Sequence, residues 1–402
     1  MKYDLAIIGA GPAGVFASLK LLEINPDART VLIDLGRPPA KRRRQLEGWL
    51  GCFPTGDGKI YPSDVHKVER VTGQKDLSHI YTWFKDILKA SGPTKIIKSK
   101  APSAKTTKHI KKEGFEIELL DYMQWIPDHI HALSRDVAKT IIDSRKFDLN
   151  FDNEVFSIIK QKGGSFCISS EKGEIQAETI LLCVGRSGWR WANGLFKKFD
   201  ILTHDDYVHI GFMAETQGAH LKDFNKSHCI LTKDDVTFGP LSWGGSVIQE
   251  DHEDMTLAAF RSNEGRWKTE KAFFKALLKV PFTGKGVYQA DRLSKLSFLL
   301  SGDRVGREKI KTITKNNNQL LVIKEYALLK ELVGKMTPIF PEVENKGFFH
   351  HPCINTVNCS LNLDHSLQTE VEGLYVAGET AGIEGLGAAA MSGALVVESL
   401  YG

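Results

Sequence analysis

Three glycines and one acid near the start of the chain have the types and spacing to hold a dinucleotide. The run Gly9-Ala10-Gly11-Pro12-Ala13-Gly14 follows an apolar stretch, Tyr3–Ile8, and Asp34 closes a second one, Thr30–Ile33, twenty residues after Gly14. Gly9 permits a tight turn, Gly11 lets backbone approach a pyrophosphate, and Gly14 lets a helix pack closely on a strand. Pro12 and Ala13 open that helix, whose N-terminal N–H groups and dipole favour phosphate. The Asp34 carboxylate is placed to accept from a ribose hydroxyl.

Positioning these residues takes a β-α-β unit over residues 1–36. A loop rich in Gly and Pro follows from Gly36 to Pro62 and carries Lys41, Arg42, Arg43 and Arg44. Apolar spacing predicts helices over Asp76–Ala90 and Pro127–Ser144, the second with Ile130, Leu133, Val137 and Ile141 on one face. Between them lies a lysine-rich excursion at 93–114 with no periodicity. Short strands are predicted at 149–151, 154–159, 165–169 and 174–177. Thr179–Gly185 is a continuous apolar run stopping at glycine, as a strand buried on both faces does. From 203 to 350 several strands and one helix near Glu270–Lys279 replace the alternation of strand and helix. Gly373–Glu379 reads as a further buried strand ending in glycine and acid, and a helix of small residues, Gly387–Tyr401, follows it.

The 402 residues are 42% hydrophobic and 25% charged, the composition of an ordinary globular protein long enough for two domains. A formal net charge of +4 tolerates an anionic partner without demanding one. The cysteines Cys52, Cys167, Cys183, Cys229, Cys353 and Cys359 are scattered with no CxxC pair, so neither a zinc site, a redox disulfide nor a secreted disulfide framework is expected. No metal is predicted. No apolar run reaches the roughly 20 residues that span a bilayer, and a reducing, cytoplasmic setting with no membrane partner is expected.

The C-terminal stretch Gly373–Gly393 resembles the closing element of the two-dinucleotide-binding-domain, glutathione-reductase-like flavoproteins. That resemblance implies FAD. It places the last strand beside the first, with Gly378 and Glu379 against the ribityl chain and pyrophosphate. The helix start, Gly387, Ala388 and Ala389, would face flavin N1 and the C2 carbonyl, where negative charge collects on reduction. Gly185 resembles the family's middle strand end near the adenine side, and Val155 the position whose backbone meets adenine. Leu35, Arg43 and Gly58 complete the residues expected along the cofactor.

A closer resemblance is to a group of largely uncharacterised bacterial FAD-dependent dehydrogenases. Gly48–Lys59 is similar to that group's GxGGAGxxSDGKL loop, and Trp125–Ile142 resembles its helix after an insertion. Gly185-Arg186-Ser187-Gly188-Trp189 and His209–Glu215 resemble its GxS and DIGVRVE segments. The chain departs at Met213, where the pattern has arginine, at Cys52-Phe53, and at His350-His351-Pro352. The resemblance implies that Gly51–Lys59 runs along the flavin ring, where Lys59, oriented by Asp57, would steady the flavin or a substrate carboxylate; a solvated turn lysine is the alternative. His350 and His351 precede the closing strand, so either is a candidate base or carboxylate anchor, since histidine titrates near neutrality. Trp243 and Arg292 are candidates for walling a substrate pocket and holding an anion.

The expected fold is therefore α/β: a Rossmann-like FAD-binding domain from 1–202 and 350–402, with a mixed or antiparallel substrate domain inserted at 203–349. No second GxGxxG follows a strand, which argues against a separate nicotinamide domain. The expected activity is FAD-dependent oxidation of a C–H bond next to an amine in a small molecule. The alternatives are a flavin-dependent enzyme acting on an amino-acid-decorated base in DNA or RNA, an NAD(P)H-driven reductase or saturase, and a non-catalytic binding module. The nucleic-acid alternative rests on Lys95, Lys98, Lys100, Lys105, Lys108, Lys111 and Lys112, whose charges could follow a phosphate backbone; a solvated charge run is the other reading. Oligomeric state stays open.

Overall fold

A computed structural model describes residues 2–42, 47–204, 207–224, 227–252, 255–261, 269–281, 292–293, 295–296, 305–314, 324–356 and 360–402. The chain divides into two compact units. The first comprises Met1–Lys95, Met123–His204 and Val357–Gly402, and the second Ile96–Tyr122 and Asp205–Thr356.

Continuous apolar runs make the centre of the first unit. Leu5, Ala6 and Ile7 are fully buried, as are Leu32, Ile33 and Ile180–Leu182, because sheet neighbours and helices cover both faces. Five strands lie parallel in the order Phe147–Asn150, Thr30–Ile33, Lys2–Ile8, Gly173–Leu182, Leu374–Val376. The long strand Gly173–Leu182 shares one flank between two partners. Its first half pairs antiparallel with Phe166–Ser170, which continues to Val155–Lys160, and its last three residues pair with Leu374–Val376. The closing strand therefore lies beside Gly173–Leu182 and not beside the first strand, as expected. Both flanks of Lys2–Ile8 are already taken by Thr30–Ile33 and Gly173–Leu182.

The helix predicted over Pro127–Ser144 has those bounds, with Ile130, Leu133, Val137 and Ile141 buried. That predicted over 76–90 runs from Ser78 to Ser91 and buries Ile80, Phe84 and Leu88. Pro12–Ile24 opens with proline at its first position, where a missing N–H costs nothing, and packs on the last helix, Leu386–Tyr401. The small residues of that last helix are a packing requirement. A Cβ at Gly393 would lie 2.0 Å from the Ala13 carbonyl oxygen.

The second unit is built on an antiparallel sheet. Its order is Gly306–Lys309, Phe348–Thr356, Tyr207–Gln217, Lys271–Pro281, Val236–Phe238, Cys229–Lys233, Glu116–Leu119. Ser242–Trp243 also pairs with Lys271–Pro281, and Ser246–His252 with Met255–Arg261 forms a separate hairpin.

Three expectations are corrected here. The segment expected as a helix at 270–279 is the strand Lys271–Pro281. Its apolar pairs Phe273-Phe274 and Leu277-Leu278 suit a helix face equally well, but full-length pairing with Tyr207–Gln217 and burial on both faces settle it as a strand. The lysine-rich excursion is not aperiodic. It contains the helix Ala104–Lys112, capped by Ser103, and leads into Glu116–Leu119, whose pairing with Cys229–Lys233 places residues 96–122 in the second unit. Residues 350–356, expected in the cofactor domain, belong to the strand Phe348–Thr356 of the second unit's sheet. Among the described residues, no helix is long and apolar enough to cross a membrane.

Candidate functional site

In the first unit the parallel strands end on residues singled out by type alone. Lys2–Ile8 runs into Gly9, whose N–H donates to the Ile33 carbonyl at 2.8 Å, and the Ala10 carbonyl accepts from the Leu50 N–H at 2.7 Å. Gly9 holds φ at +107°, and a Cβ there would lie 2.3 Å from the Cys183 carbonyl oxygen; at Gly14 it would lie 1.9 Å from the Gly9 oxygen. Packing within the chain demands those two glycines. Gly11 is different. Its φ of −68° suits any residue, and the nearest atom to a Cβ would be the Cys183 oxygen at 3.9 Å. The space over Gly11, at the N-terminus of Pro12–Ile24, is left open by the protein.

Asp34 fastens this turn. Its buried carboxylate accepts from the Ala10 N–H and the Gly36 N–H, each at 2.6 Å. Burial pushes its carboxyl above the ordinary value, and the two N–H groups work against that shift. One N–H on each oxygen leaves lone pairs for a ribose hydroxyl, so the carboxylate serves the turn first and a sugar second. Its neighbour Leu35 is 51% exposed. Arg43 lies outside the described residues. The adjacent Arg42, which sequence reasoning passed over, donates to the Trp49 and Gly51 carbonyls and sets its charge near Asp34. Asn153 donates its backbone N–H to the Asp34 carbonyl at 3.1 Å, and the buried Val155 starts the strand beyond it.

Two further strand ends are tied together. Gly185, φ +61°, donates its N–H to Thr380 Oγ1 at 3.0 Å, and Arg186 donates to Glu379 at 2.6 Å. Gly378, φ +65°, donates to Ser392 Oγ at 2.9 Å. A Cβ on Gly378 would lie 3.3 Å from the Cβ atoms of both Ala13 and Ala389, so the two ends of the chain meet at the glycine turn.

The start of the last helix is not open as expected. The buried carboxylate of Asp64 accepts from the N–H groups of Ala388 and Gly387 and pairs with Lys67 at 2.8 Å. A helix N-terminus attracts the nearest anion, and here the chain supplies one. Burial raises the Asp64 carboxyl above its ordinary 3.8 despite Lys67 and both N–H groups. A raised folded-state value means that the folded protein holds this proton more tightly than the unfolded chain. Stability from Asp64 is then present below about pH 4 and lost as pH rises through the folded value. Asp64→Asn should remove that loss. In urea unfolding across pH 4 to 7, the variant should gain on the wild type as pH rises; parallel profiles would refute the assignment.

Lys59 is not a solvated turn lysine. It is 7% exposed, its Nζ lies 3.0 Å from Asp57, and its backbone N–H donates to the other Asp57 oxygen at 3.0 Å. Gly58, φ +69°, accepts from the Trp125 N–H at 2.7 Å, and a Cβ there would lie 2.1 Å from the Trp125 oxygen.

The remaining candidates belong to the second unit. His350 and His351 are neighbours on a strand and therefore face opposite ways. His350 Nε2 lies 2.7 Å from Glu215, whose other oxygen accepts from Lys271 at 2.7 Å and Arg307 at 3.2 Å. His351 is fully buried, stacked on Phe349, with Tyr326 Oη 3.4 Å away and Glu308 at 3.5 Å. The two histidines thus serve different clusters, and Glu215, which organises the first, was missed; an acid inside the apolar run Phe212–Thr216 was its signal. Trp243 donates to the Ser227 carbonyl at 3.4 Å from a two-residue strand, and Arg292 is exposed. Lys98, Lys100, Lys105, Lys108, Lys111 and Lys112 are exposed in this unit, while Lys95 ends a segment of the first. Lys98 is matched by Asp121 at 2.6 Å, and the strand after the lysine helix presents Glu116 and Glu118.

No protein-family model matches the chain, and no curated protein matches its sequence. Among solved structures, it is similar to glycine oxidase from Geobacillus kaustophilus at 12% identity and a TM-score of 0.44, over 99% of this chain and 95% of that one. L-proline dehydrogenase from P. horikoshii is similar at 11% identity and a TM-score of 0.47, over 99% and 93%. Pyridoxine 4-oxidase from Mesorbium loti is similar at 13% identity and a TM-score of 0.45, over 99% of each chain.

Proposed function

We propose that the chain is an FAD-dependent oxidoreductase that oxidises a carbon–hydrogen bond beside an amine. Gly11 carries the dinucleotide part of this reading. It is a glycine that no contact within the protein requires, at a helix N-terminus on the carboxyl end of a parallel strand, where α/β sheets bind ligands. The residues present fit the group. The N–H groups at the start of Pro12–Ile24 suit its diphosphate, the spare lone pairs of Asp34 its ribose, and Gly185 and Gly378 keep the neighbouring strand ends free of side chains. FAD is favoured over NAD because the last strand and helix fold against the glycine turn, so that both ends of the chain build a single nucleotide site.

When bound, FAD accepts a hydride from the carbon, leaving an iminium that water hydrolyses to a carbonyl and a free amine. The chain's own contribution is to hold, orient and charge-balance. Lys59, enclosed and fixed by Asp57, presents a cation at a set position. The sequence has one glycine fingerprint and no CxxC, which favours a substrate as hydride donor over a nicotinamide or a dithiol. The test is anaerobic. Purified protein should be yellow, bleach with a member of a panel of amines and amino acids, and stay yellow with NAD(P)H. A colourless protein that takes up no FAD overturns the reading, and bleaching by NAD(P)H alone replaces it with a reductase.

A further inference from the structure

The glycine turn has a deficit of charge. Gly9-Ala10-Gly11-Pro12-Ala13-Gly14 offers a diphosphate only backbone N–H groups, and the first turn of Pro12–Ile24 carries no cation. Beside it stands an acid. Glu379 follows Gly378, whose Cα packs against Ala13, and a carboxylate there opposes a second anion. Arg42, the nearer cation in sequence, is committed to the Trp49 and Gly51 carbonyls.

Arg186 meets both needs. It leaves the end of Gly173–Leu182 one residue after Gly185, and its guanidinium donates to Glu379 at 2.6 Å. The Gly185–Thr380 bond fixes the two loops to each other, so this pair spans adjacent strand ends. Both side chains are about a quarter exposed: accessible to a ligand and partly shielded from water. Guanidinium has five N–H donors in a planar fork, and one carboxylate oxygen does not exhaust them.

We propose that Arg186 is a cofactor-binding residue. Glu379 holds its guanidinium in place, and its outer donors take the diphosphate of the dinucleotide. The inference rests on the FAD reading above. It predicts a particular pattern of ligand dependence, because a diphosphate needs the cation and a bare flavin does not.

The experiment is equilibrium binding to apoprotein, with FAD and riboflavin followed by flavin fluorescence and ADP by competition. Arg186→Gln should weaken FAD and ADP at least tenfold and leave riboflavin unchanged, and Arg186→Lys should recover part of the loss. The salt dependence of FAD binding should also become shallower in Arg186→Gln. The double variant Arg186→Gln/Glu379→Gln separates binding from mere neutralisation of the acid. It should remain weak for FAD. Return of the double variant to wild-type affinity would mean that Arg186 only cancels Glu379, and would overturn the proposal, as would unchanged affinity in Arg186→Gln. Far-UV circular dichroism and riboflavin binding show that each variant is folded. A wild-type protein that binds riboflavin but neither FAD nor ADP overturns this proposal together with the dinucleotide reading. FAD binding by the wild type with no effect at Arg186 overturns this proposal alone.

Discussion

Gly11→Ala should leave the apoprotein as stable as the wild type, or slightly more so, while weakening FAD about a hundredfold, a loss of roughly 3 kcal/mol. The opposite signs make the test sharp. At φ −68° alanine is unstrained, and the nearest atom to its Cβ is 3.9 Å away. Replacing glycine at a compatible position removes unfolded-state freedom and adds about 0.4–1 kcal/mol of stability. The same methyl occupies the space through which a pyrophosphate would approach backbone. Gly14→Ala is the contrasting control. Its Cβ would lie 1.9 Å from the Gly9 oxygen, so it should lower the melting temperature before any ligand is added. Thermal melts of apoprotein and flavin fluorescence titrations read the two effects separately. Equal FAD affinity in wild type and Gly11→Ala would remove the observation on which the cofactor reading stands.

Glu215→Ala should destabilise the second unit by about 3–5 kcal/mol, the usual cost of stripping one partner from a buried ionic cluster. The carboxylate is 6% exposed and accepts from His350, Lys271 and Arg307. Without it, three donors converge on nothing. Burial alone would raise the Glu215 carboxyl, but the hydrogen bonds from His350, Lys271 and Arg307 outweigh burial and hold it well below the ordinary 4.5. A lowered folded-state value gives stability that is present above about 4.5 and lost as pH falls through the folded value. The gap between wild type and Glu215→Gln in urea unfolding should therefore be widest near neutrality and shrink below pH 4.5. A gap independent of pH would mean that the ionised carboxylate contributes nothing as a charge.

Local pattern and long-range placement divide this protein cleanly. The helix Pro127–Ser144 was legible to its ends because its apolar residues recur at helical spacing and a proline opens it. The parallel strands were legible because burial on both faces leaves unbroken apolar runs. Lys271–Pro281 was not, since its paired phenylalanines and leucines satisfy both periods. Only its partner strand, more than fifty residues earlier in the chain, decides. The lysine segment looked structureless because its helix shows the interior little besides Ile110.

Asp64 shows the same limit at the site itself. In sequence it stands at the start of its own helix, Asp64–Thr72, and nothing local says that its carboxylate caps a helix beginning at Leu386. His350 and His351 were read as a pair, and strand geometry sends them to different clusters. What the sequence determined by itself was the glycine turn, the acid after the second strand and the glycines at two later strand ends, because each answers to a local demand of backbone conformation or close approach. Which side chains those elements face was decided only by tertiary structure. A carboxylate's partner depends on which strands become neighbours, and that is a property of the whole sheet rather than of any one segment.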